Sequence, residues 1–251
     1  MIQLKSEEQI KRIGEACALT ARLMEELETF IEEGMSTKDI DRYCHDFIIR
    51  HKGIPSFLNY GGFPASACVS VNEEVIHGIP SEKKILTDGD LVSVDLGINL
   101  DGHFSDMART FIVGETKEEY RKLCEVTRKS LDLAIEAAGK KGARIQDIGK
   151  AVSHHCCGFG YGVVRDFTGH GVGLAVHEAP EIPNYSAPFL PNPRIREGMV
   201  LAIEPMVNLG THKVSILEDN WTVVTQDGFP SAHFEDTVAI TRDGLVILTR
   251  G

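Results

Sequence analysis

The stretch GDLVSVDLGINLDGHFSDMART, residues 89–110, decides the fold class of this chain. Its first part has the apolar pattern of a buried β-strand, yet the strand contains Asp95. Asp106 follows eleven residues later, at the start of another apolar run. Because a buried carboxylate without a partner is costly, the two aspartates predict either a cation or a network of hydrogen-bond donors.

A second stretch repeats this arrangement later in the chain. Residues 198–204, GMVLAIE, match residues 89–95, GDLVSVD, and each ends in a carboxylate six residues after a glycine. Glu235, early in the apolar run FEDTVAITR, corresponds to Asp106. We therefore expect four carboxylates inside apolar strands, placed symmetrically in two halves of the molecule.

Helical segments precede the strands in both halves. Ser6 and Gln9 form a capping-box pattern that predicts a helix through residue 31, and Ser36 or Thr37 can begin a second helix. The later half repeats this with a helix over 117–138 and another after Gly142. Residues 77–80, HGIP, match 177–180, HEAP, in the same order.

These echoes predict a duplicated α+β unit with internal pseudo-twofold symmetry. No linker rich in Pro, Gly or Ser separates the repeats. We expect one catalytic domain, 1–251, built from repeats of about 1–115 and 116–251. Two such halves would direct their carboxylates and histidines into one cleft.

Composition excludes several classes of protein. A formal net charge of −11 argues against broad binding of nucleic acid or anionic membranes. The charged N-terminal segment predicts no signal peptide, and no apolar run has the length of a membrane span. The six cysteines lack CxxC spacing, which indicates reduced thiols in a cytosolic protein. The run HHCC at 154–157 is interpreted as consecutive helix residues of mixed exposure, because zinc ligands are usually spaced two to five apart.

His170 adds an imidazole to the four carboxylates. It lies in TGHGVG, residues 168–173, just after a predicted strand, where the flanking glycines are expected to leave the ring uncovered. A salt bridge would explain one buried carboxylate, but four with few basic neighbours favour a divalent metal. One imidazole and four carboxylates suit Mn, Fe, Co or Zn, and a combined charge of −4 is balanced by two ions.

The motifs then point to a known family. GHGVG with HEAP seven residues on, SVDLG with SDMART, AIEPM and HFEDT all resemble the type 1 methionine aminopeptidases, over nearly the whole chain. The resemblance implies the pita-bread fold, an α+β fold in which helices cover a central curved antiparallel sheet with internal pseudo-twofold symmetry. It also implies hydrolytic removal of the N-terminal methionine by a metallo-aminopeptidase.

Residue roles follow from the same resemblance. It implies a dinuclear site in which Asp106 and Glu235 bridge the ions, and the metal ligands are Asp95, Asp106, His170, Glu204 and Glu235. Water activated by the two metals would attack the scissile carbonyl, with Glu204 as general base. His177 would donate to the carbonyl oxygen as it becomes negative, and His77 would orient the scissile amide or move protons.

The methionine pocket is likewise implied by the resemblance. Its matched lining positions are Tyr60, Phe63, Cys68 and Trp221, with His77 and His177 beside the scissile bond. Aromatic and sulfur-containing surroundings favour a thioether. Phe57 and Val176 differ from some relatives, which puts the shape of the pocket in doubt, and by sequence alone Trp221 is interpreted as a packed residue.

The resemblance carries further expectations. The cofactors would be two divalent ions per chain, among Co, Mn, Fe(II), Zn or Ni. The substrates would be nascent polypeptide N-termini near the ribosome with a small second residue, and the protein would be a cytoplasmic monomer that binds neither nucleic acid nor membranes.

Three other classes remain open at this stage. Prolidase, aminopeptidase P and creatinase share the metal motifs, but most carry a large additional N-terminal domain. Only 34 residues separate His170 from Glu204, which leaves little room for the helical insertion of the type 2 methionine aminopeptidases. A catalytically inactive binding module usually loses ligands, and a metal-dependent phosphatase or nuclease would need a phosphate-binding loop.

Overall fold

The computed structural model describes residues 1–250, which form four α-helices and seventeen short strands. The helices are α1 (Glu7–Phe30), α2 (Thr37–Arg50), α3 (Glu118–Ala138) and α4 (Ile145–Cys157). The strands of the first half are β1 (Ile54–Pro55), β2 (Cys68–Val71), β3 (Glu74–Ile76), β4 (Leu91–Leu96), β5 (Ile98–Leu100), β6 (His103–Phe104) and β7 (Met107–Ile112). Those of the second half are β8 (Gly162–Val163), β9 (Thr168–Gly171), β10 (Glu178–Pro183), β11 (Val200–Ile203), β12 (Met206–Asn208), β13 (Val214–Ile216), β14 (Val223–Thr225), β15 (Ser231–His233), β16 (Asp236–Thr241) and β17 (Gly244–Ile247).

Local capping determines where the first two helices begin. The Ser6 hydroxyl accepts from the Gln9 amide at 3.2 Å, and the Gln9 side chain accepts from the Ser6 amide at 2.9 Å. Ser36 and Asp39 form the same reciprocal pair at the start of α2. Because these side chains satisfy amides that the first turn leaves free, the predicted starts of both helices are confirmed.

Two antiparallel sheets place the carboxylates. One has the strand order β2-β4-β7, and the other has the order β10-β9-β11-β16-β17. In each, a carboxylate lies at or just after the end of the middle strand (Asp95 in β4, Glu204 after β11), and another lies just before the next strand (Asp106 before β7, Glu235 before β16). The two sheets therefore place their carboxylates in equivalent positions, which agrees with the match between residues 89–95 and 198–204 in the sequence.

Separate apolar clusters support the two sheets. One packs α1 and α2 against the first sheet and includes Phe47, Leu27 and Val94, all fully buried. Another packs α3 and α4 against the second and includes Leu131 and Ile148. Each fully buried side chain of this size contributes about 1.5–3 kcal/mol to stability. The repeat boundary near residue 115 stays a prediction.

Three of the four carboxylates lie outside strands, which corrects an expectation. Asp106 and Glu235 immediately precede β7 and β16, and Glu204 lies in a break between β11 and β12. Pro205 explains the break because it lacks a backbone N–H and restricts the residue before it. Only Asp95 is part of a strand.

The predictions for the cysteines and for the HHCC run are confirmed. All six cysteines are free thiols, and the HHCC run ends α4 with Cys156 buried and Cys157 exposed. No helix within residues 1–250 is long and apolar enough to cross a membrane. The α+β class with antiparallel sheets is also confirmed.

Candidate metal centre

One cavity of about 360 Å³ brings the predicted site residues together. Its lining includes all eleven of them, although they come from both sheets and from several loops. Phe57, which was expected to affect the shape of the pocket, also lines the cavity, and so do Ile76, Phe167 and Thr168, which were not predicted to do so. The acidic residues and the aromatic residues therefore face the same space.

The acidic side of the cavity is a compact set of ligand atoms. Asp106, His170 and Glu235 each offer one ligand atom, and these atoms lie within 4.8 Å of one another. His170 Nε2 is 3.4 Å from Glu204 Oε1 and 3.7 Å from Asp106 Oδ2. These separations suit one ion held by several residues.

The protonation state of His170 indicates what belongs between these atoms. Its Nδ1 lies 2.9 Å from the Gly171 carbonyl oxygen, and the tautomer that donates there leaves a lone pair on Nε2. Burial lowers the pKa of His170 to about 3, so the ring is neutral. An Nε2 lone pair that faces two ionised carboxylates is repelled by them unless a cation lies between them.

Three of the four carboxylates each have one oxygen without a protein partner. Asp95 Oδ1, Asp106 Oδ1 and Glu235 Oε1 are buried and accept no hydrogen bond from the described residues. Burial raises the pKa of Asp95 to about 7, and it raises the pKa values of Asp106 and Glu235 well above the usual range. A raised pKa means that the ionised form lacks a stabilising partner in the metal-free fold, and a bound cation would supply that partner.

The alternative of a salt bridge to arginine is not realised. Within residues 1–250, no Lys or Arg pairs with any of the four carboxylates. The Arg109 guanidinium instead donates to Asp236 Oδ1 at 2.7 Å and to the Glu235 carbonyl oxygen. Arg109 therefore supports the backbone beside Glu235 and leaves its carboxylate free.

Hydrogen bonds join the starts of β7 and β16 beside Asp106 and Glu235. The Thr237 hydroxyl donates to the Asp106 carbonyl oxygen at 2.7 Å, and the Glu235 amide donates to the Ala108 carbonyl oxygen at 2.9 Å. The Asp106 and Glu235 side chains are thus held side by side. The donor set of one imidazole and four carboxylates fits hard divalent ions.

His177 lies directly over His170. The two rings are 4.1 Å apart between centroids, and His177 Nδ1 is 3.1 Å from the Tyr60 hydroxyl. The expectation that nothing covers His170 is therefore wrong, because the 174–177 loop folds back across it. His170 also lies within β9 and not after a strand.

His77 occupies the opposite rim with an unusual backbone. Its φ is +58°, a conformation that is uncommon outside glycine and found at functional sites. The ring meets Phe167 and Trp221 edge to face, with centroids 5.7 and 6.3 Å apart. Burial lowers the pKa of His77 to about 4, so it is neutral near pH 7.

An apolar wall continues from the acidic cluster. Cys68 in β2 lies opposite Asp95 in β4, and burial raises the pKa of its thiol. Phe63 and Trp221 pack edge to face at 5.2 Å. Trp221 lines the cavity as well as packing, so the interpretation from sequence alone was incomplete.

Phe57 and Val176 belong to this same wall. Both are buried in the apolar cluster that contains Phe63 and Cys68. The large side chain at position 57 therefore lies in the same cluster as the smaller one at position 176.

Sequence reasoning missed His233. It is 1% exposed, and its Nε2 lies 3.7 Å from Glu204 Oε2. Burial lowers its pKa, although Asp95 opposes that shift. A signal was present, because His233 precedes Glu235 by two residues and alternate residues of an extended chain share a face.

Comparisons with known proteins agree with this geometry. A model of metallopeptidase family M24 matches residues 11–242. The chain belongs to metallopeptidase family M24. The methionine aminopeptidase of Borreliella burgdorferi is 53% identical, over 98% of this chain and 97% of that protein. The methionine aminopeptidase structure from Rickettsia prowazekii superposes with a TM-score of 0.95 at 36% identity and covers 99% of this chain and 100% of that one.

A prolidase gives a weaker match within the same family fold. The Pyrococcus furiosus prolidase structure has a TM-score of 0.75 at 26% identity, and the match covers 99% of this chain but 65% of the prolidase. The predicted pita-bread fold, the resemblance to methionine aminopeptidases and the assignment as a metallo-aminopeptidase, a hydrolase, are confirmed. The roles of individual residues stay predictions.

Proposed function

We propose that this M24 metallopeptidase removes the N-terminal methionine from peptides and nascent proteins with a small second residue. The observation that carries the proposal is the shared cavity, in which one imidazole and four carboxylates face an aromatic and sulfur-lined wall. One side suits a metal and the scissile bond, and the other suits a thioether side chain.

We propose two divalent ions per chain, held by Asp95, Asp106, His170, Glu204 and Glu235. Four carboxylates carry −4 when ionised, and the orphaned oxygens of Asp95, Asp106 and Glu235 support a site larger than one ion needs. Bound divalent ions would supply Lewis acidity and lower the pKa of water. The candidates are Co, Mn, Fe(II), Zn and Ni, because the donor set does not select among them.

Glu204 would take the proton of the attacking water. Its side chain is 11% exposed at the cavity, so the carboxylate can reach a water molecule there, and burial raises its pKa well above the ordinary range in the metal-free fold. Asn184 donates to the Glu204 carbonyl oxygen at 2.9 Å and fixes the backbone at this position. Glu204 can therefore act from a defined place.

The two histidines would act on the scissile amide. His177 is held between the His170 ring and the Tyr60 hydroxyl and would donate to the carbonyl oxygen as negative charge develops. His77 is neutral and faces the cavity from the aromatic rim, where it would orient the amide. Neutral imidazoles can donate without adding charge beside a cationic site.

The methionine side chain would fill the apolar wall. Phe63, Trp221 and Tyr60 supply aromatic surface, and Cys68 supplies sulfur next to Asp95. Such surroundings favour a thioether by about 0.3–1.5 kcal/mol per contact. We further propose a cytoplasmic monomer that acts on nascent chains near the ribosome and binds neither nucleic acid nor membranes.

The test separates this activity from that of related peptidases. Metal-stripped protein reloaded with Mn, Co or Fe(II) is incubated with Met-Ala-Ser and with Ala-Pro-Ser. Metal-dependent release of methionine from the first peptide alone is the expected result. Cleavage of the proline peptide would assign the chain to the prolidase and aminopeptidase P group, and cleavage of neither would favour a binding module.

A further inference from the structure

We propose that Lys5 and Glu178, here called the loop clamp, position the His177 imidazole for the reaction. The proposal rests on the proposed function, because it concerns the histidine that would act on the scissile carbonyl. Neither residue lines the cavity, so both would act through His177.

Lys5 is a buried lysine with one ionic partner. Its side chain is 1% exposed, and Nζ lies 2.5 Å from Glu178 Oε2. Its amide donates to the Gly198 carbonyl oxygen at 2.7 Å, which holds the segment before α1 against the second sheet. Lysine is almost never fully buried unless it is paired, so the contact with Glu178 must be what retains it here.

Glu178 connects this lysine to the loop that carries His177. Its other oxygen, Oε1, accepts the amides of Leu174 and Ala175 at 2.7 and 3.0 Å. The carboxylate therefore joins the first residues of the loop to the residue directly after His177. With Lys5 removed, a buried carboxylate would keep only two amide donors and the loop would lose its anchor.

The space under the loop leaves little freedom for another arrangement. Gly173 has a φ of +129°, and a Cβ there would lie 2.5 Å from Ile13 Cδ1 and 3.4 Å from Lys5 Cε. The Phe104 amide donates to the Gly173 carbonyl oxygen at 2.8 Å. The start of the loop therefore packs against α1 and Lys5. At its other end, His177 contacts His170 and Tyr60.

This arrangement makes the His177 ring sensitive to small shifts of the loop. A misplacement of 1 Å at a reacting group costs about 10²-fold in rate. A clamp that acts only on folding would lower the activity of every variant equally. A clamp that positions His177 would have no effect once the imidazole has been removed.

A double-mutant cycle distinguishes these roles. Lys5→Met should lower kcat about tenfold and change KM little. This loss is smaller than the roughly 10²-fold loss in rate for a misplacement of 1 Å, because the loop would shift by less than that. In the His177→Ala background, the same change should alter kcat by less than about twofold, within the usual additivity error. Lys11→Met, the same substitution at an exposed lysine of α1, is the matched control and should leave kcat unchanged.

Two further variants keep the test decisive. Lys5→Arg retains a charged donor and should recover most of the lost kcat. If Lys5→Met does not fold, Glu178→Gln enters the same cycle, because it retains an oxygen for the Leu174 and Ala175 amides. Equal losses in both backgrounds, or an unchanged kcat for Lys5→Met, would overturn the clamp.

A measurement without turnover separates this proposal from the proposed function. In metal-free protein labelled with ¹⁵N-histidine, Lys5→Met or Glu178→Gln should shift the His177 ring signals, and Lys11→Met should not. If wild-type protein releases no methionine, the proposed function fails while these spectra still decide the clamp. Unchanged His177 signals in a folded clamp variant would refute it.

Discussion

The Nε2 atom of His233 lies 3.7 Å from Oε2 of Glu204, and it has no hydrogen-bond partner among the described residues. His233 is buried beside the base proposed for water activation, and burial lowers its pKa, which keeps the ring neutral. The tautomer with a proton on Nε2 can donate to the Glu204 carboxylate once a small movement brings the two atoms from 3.7 Å to hydrogen-bond distance. His233 would then hold the second oxygen of Glu204 in place.

We expect His233→Leu to lower kcat by roughly 10- to 100-fold, since a hydrogen bond to a charged group contributes about 1.5–3 kcal/mol. His233→Gln keeps a side-chain donor and should retain most of the activity. Steady-state kinetics on a methionyl peptide, with metal content measured in each variant, checks this. Equal activities of the Leu and Gln variants would show that no donor is needed.

Glu204→Gln should reduce kcat by at least about 10²- to 10⁴-fold, the usual contribution of a general base. The amide keeps the shape of the side chain, so the far-UV circular dichroism spectrum should not change. Turnover of Met-Ala-Ser and circular dichroism together test the role. A variant with near-normal activity would refute it.

Removal of metal should make stability fall as pH rises. Burial raises the pKa of Asp95 to about 7 in the metal-free fold, so the folded state holds a proton that the unfolded state has released. This contribution is complete at low pH and is lost as pH rises through about 7. Asp106, Glu204 and Glu235 shift in the same direction.

Divalent ions bind the deprotonated carboxylates, so metal should raise Tm more at about pH 8 than at about pH 5. Calorimetry in EDTA and in Mn at both pH values measures this difference. Because each Tm shift compares two samples at the same pH, the general effect of acid on stability cancels. The substitution Asp95→Asn should make the metal-induced Tm shift depend less on pH. A metal-induced Tm shift that is the same at both pH values would contradict the prediction.

Trp221→Ala should lower kcat/KM for a methionyl peptide by about 10- to 100-fold, because pocket contacts worth roughly 1–3 kcal/mol are lost. Phe159→Ala removes an exposed aromatic side chain outside the cavity and serves as the control. Kinetics with both variants decides the matter. An unchanged kcat/KM for Trp221→Ala would assign the tryptophan to packing alone.

Local signals explain why so much of the fold is visible in the sequence. The Ser6 and Gln9 pair predicts the start of α1, and the apolar period predicts its extent to within about a residue of Phe30. The candidate metal ligands are equally visible, because a carboxylate such as Asp95 stands out in a buried strand. His170 stands out for a different reason, because glycines flank it on both sides.

Features that depend on distant contacts are less visible. β10, with the sequence EAPEIP, contains two prolines, which argue against a strand, yet it lies at the edge of its sheet, where proline is tolerated. The contact between Lys5 and Glu178 joins residues 173 positions apart, and no local pattern indicates it. The loop over His170 was missed for the same reason.

The origin of the ligands in two sheets has a consequence for how the protein unfolds. Asp95 lies in the first sheet and Asp106 directly precedes a strand of it, whereas His170 lies in the second sheet and Glu204 and Glu235 adjoin strands of it. Neither sheet alone supplies the full donor set, so the binding free energy of metal held by residues of both would add to the association of the sheets. Metal loss should therefore reduce the cooperativity between the halves before it disturbs the core of either.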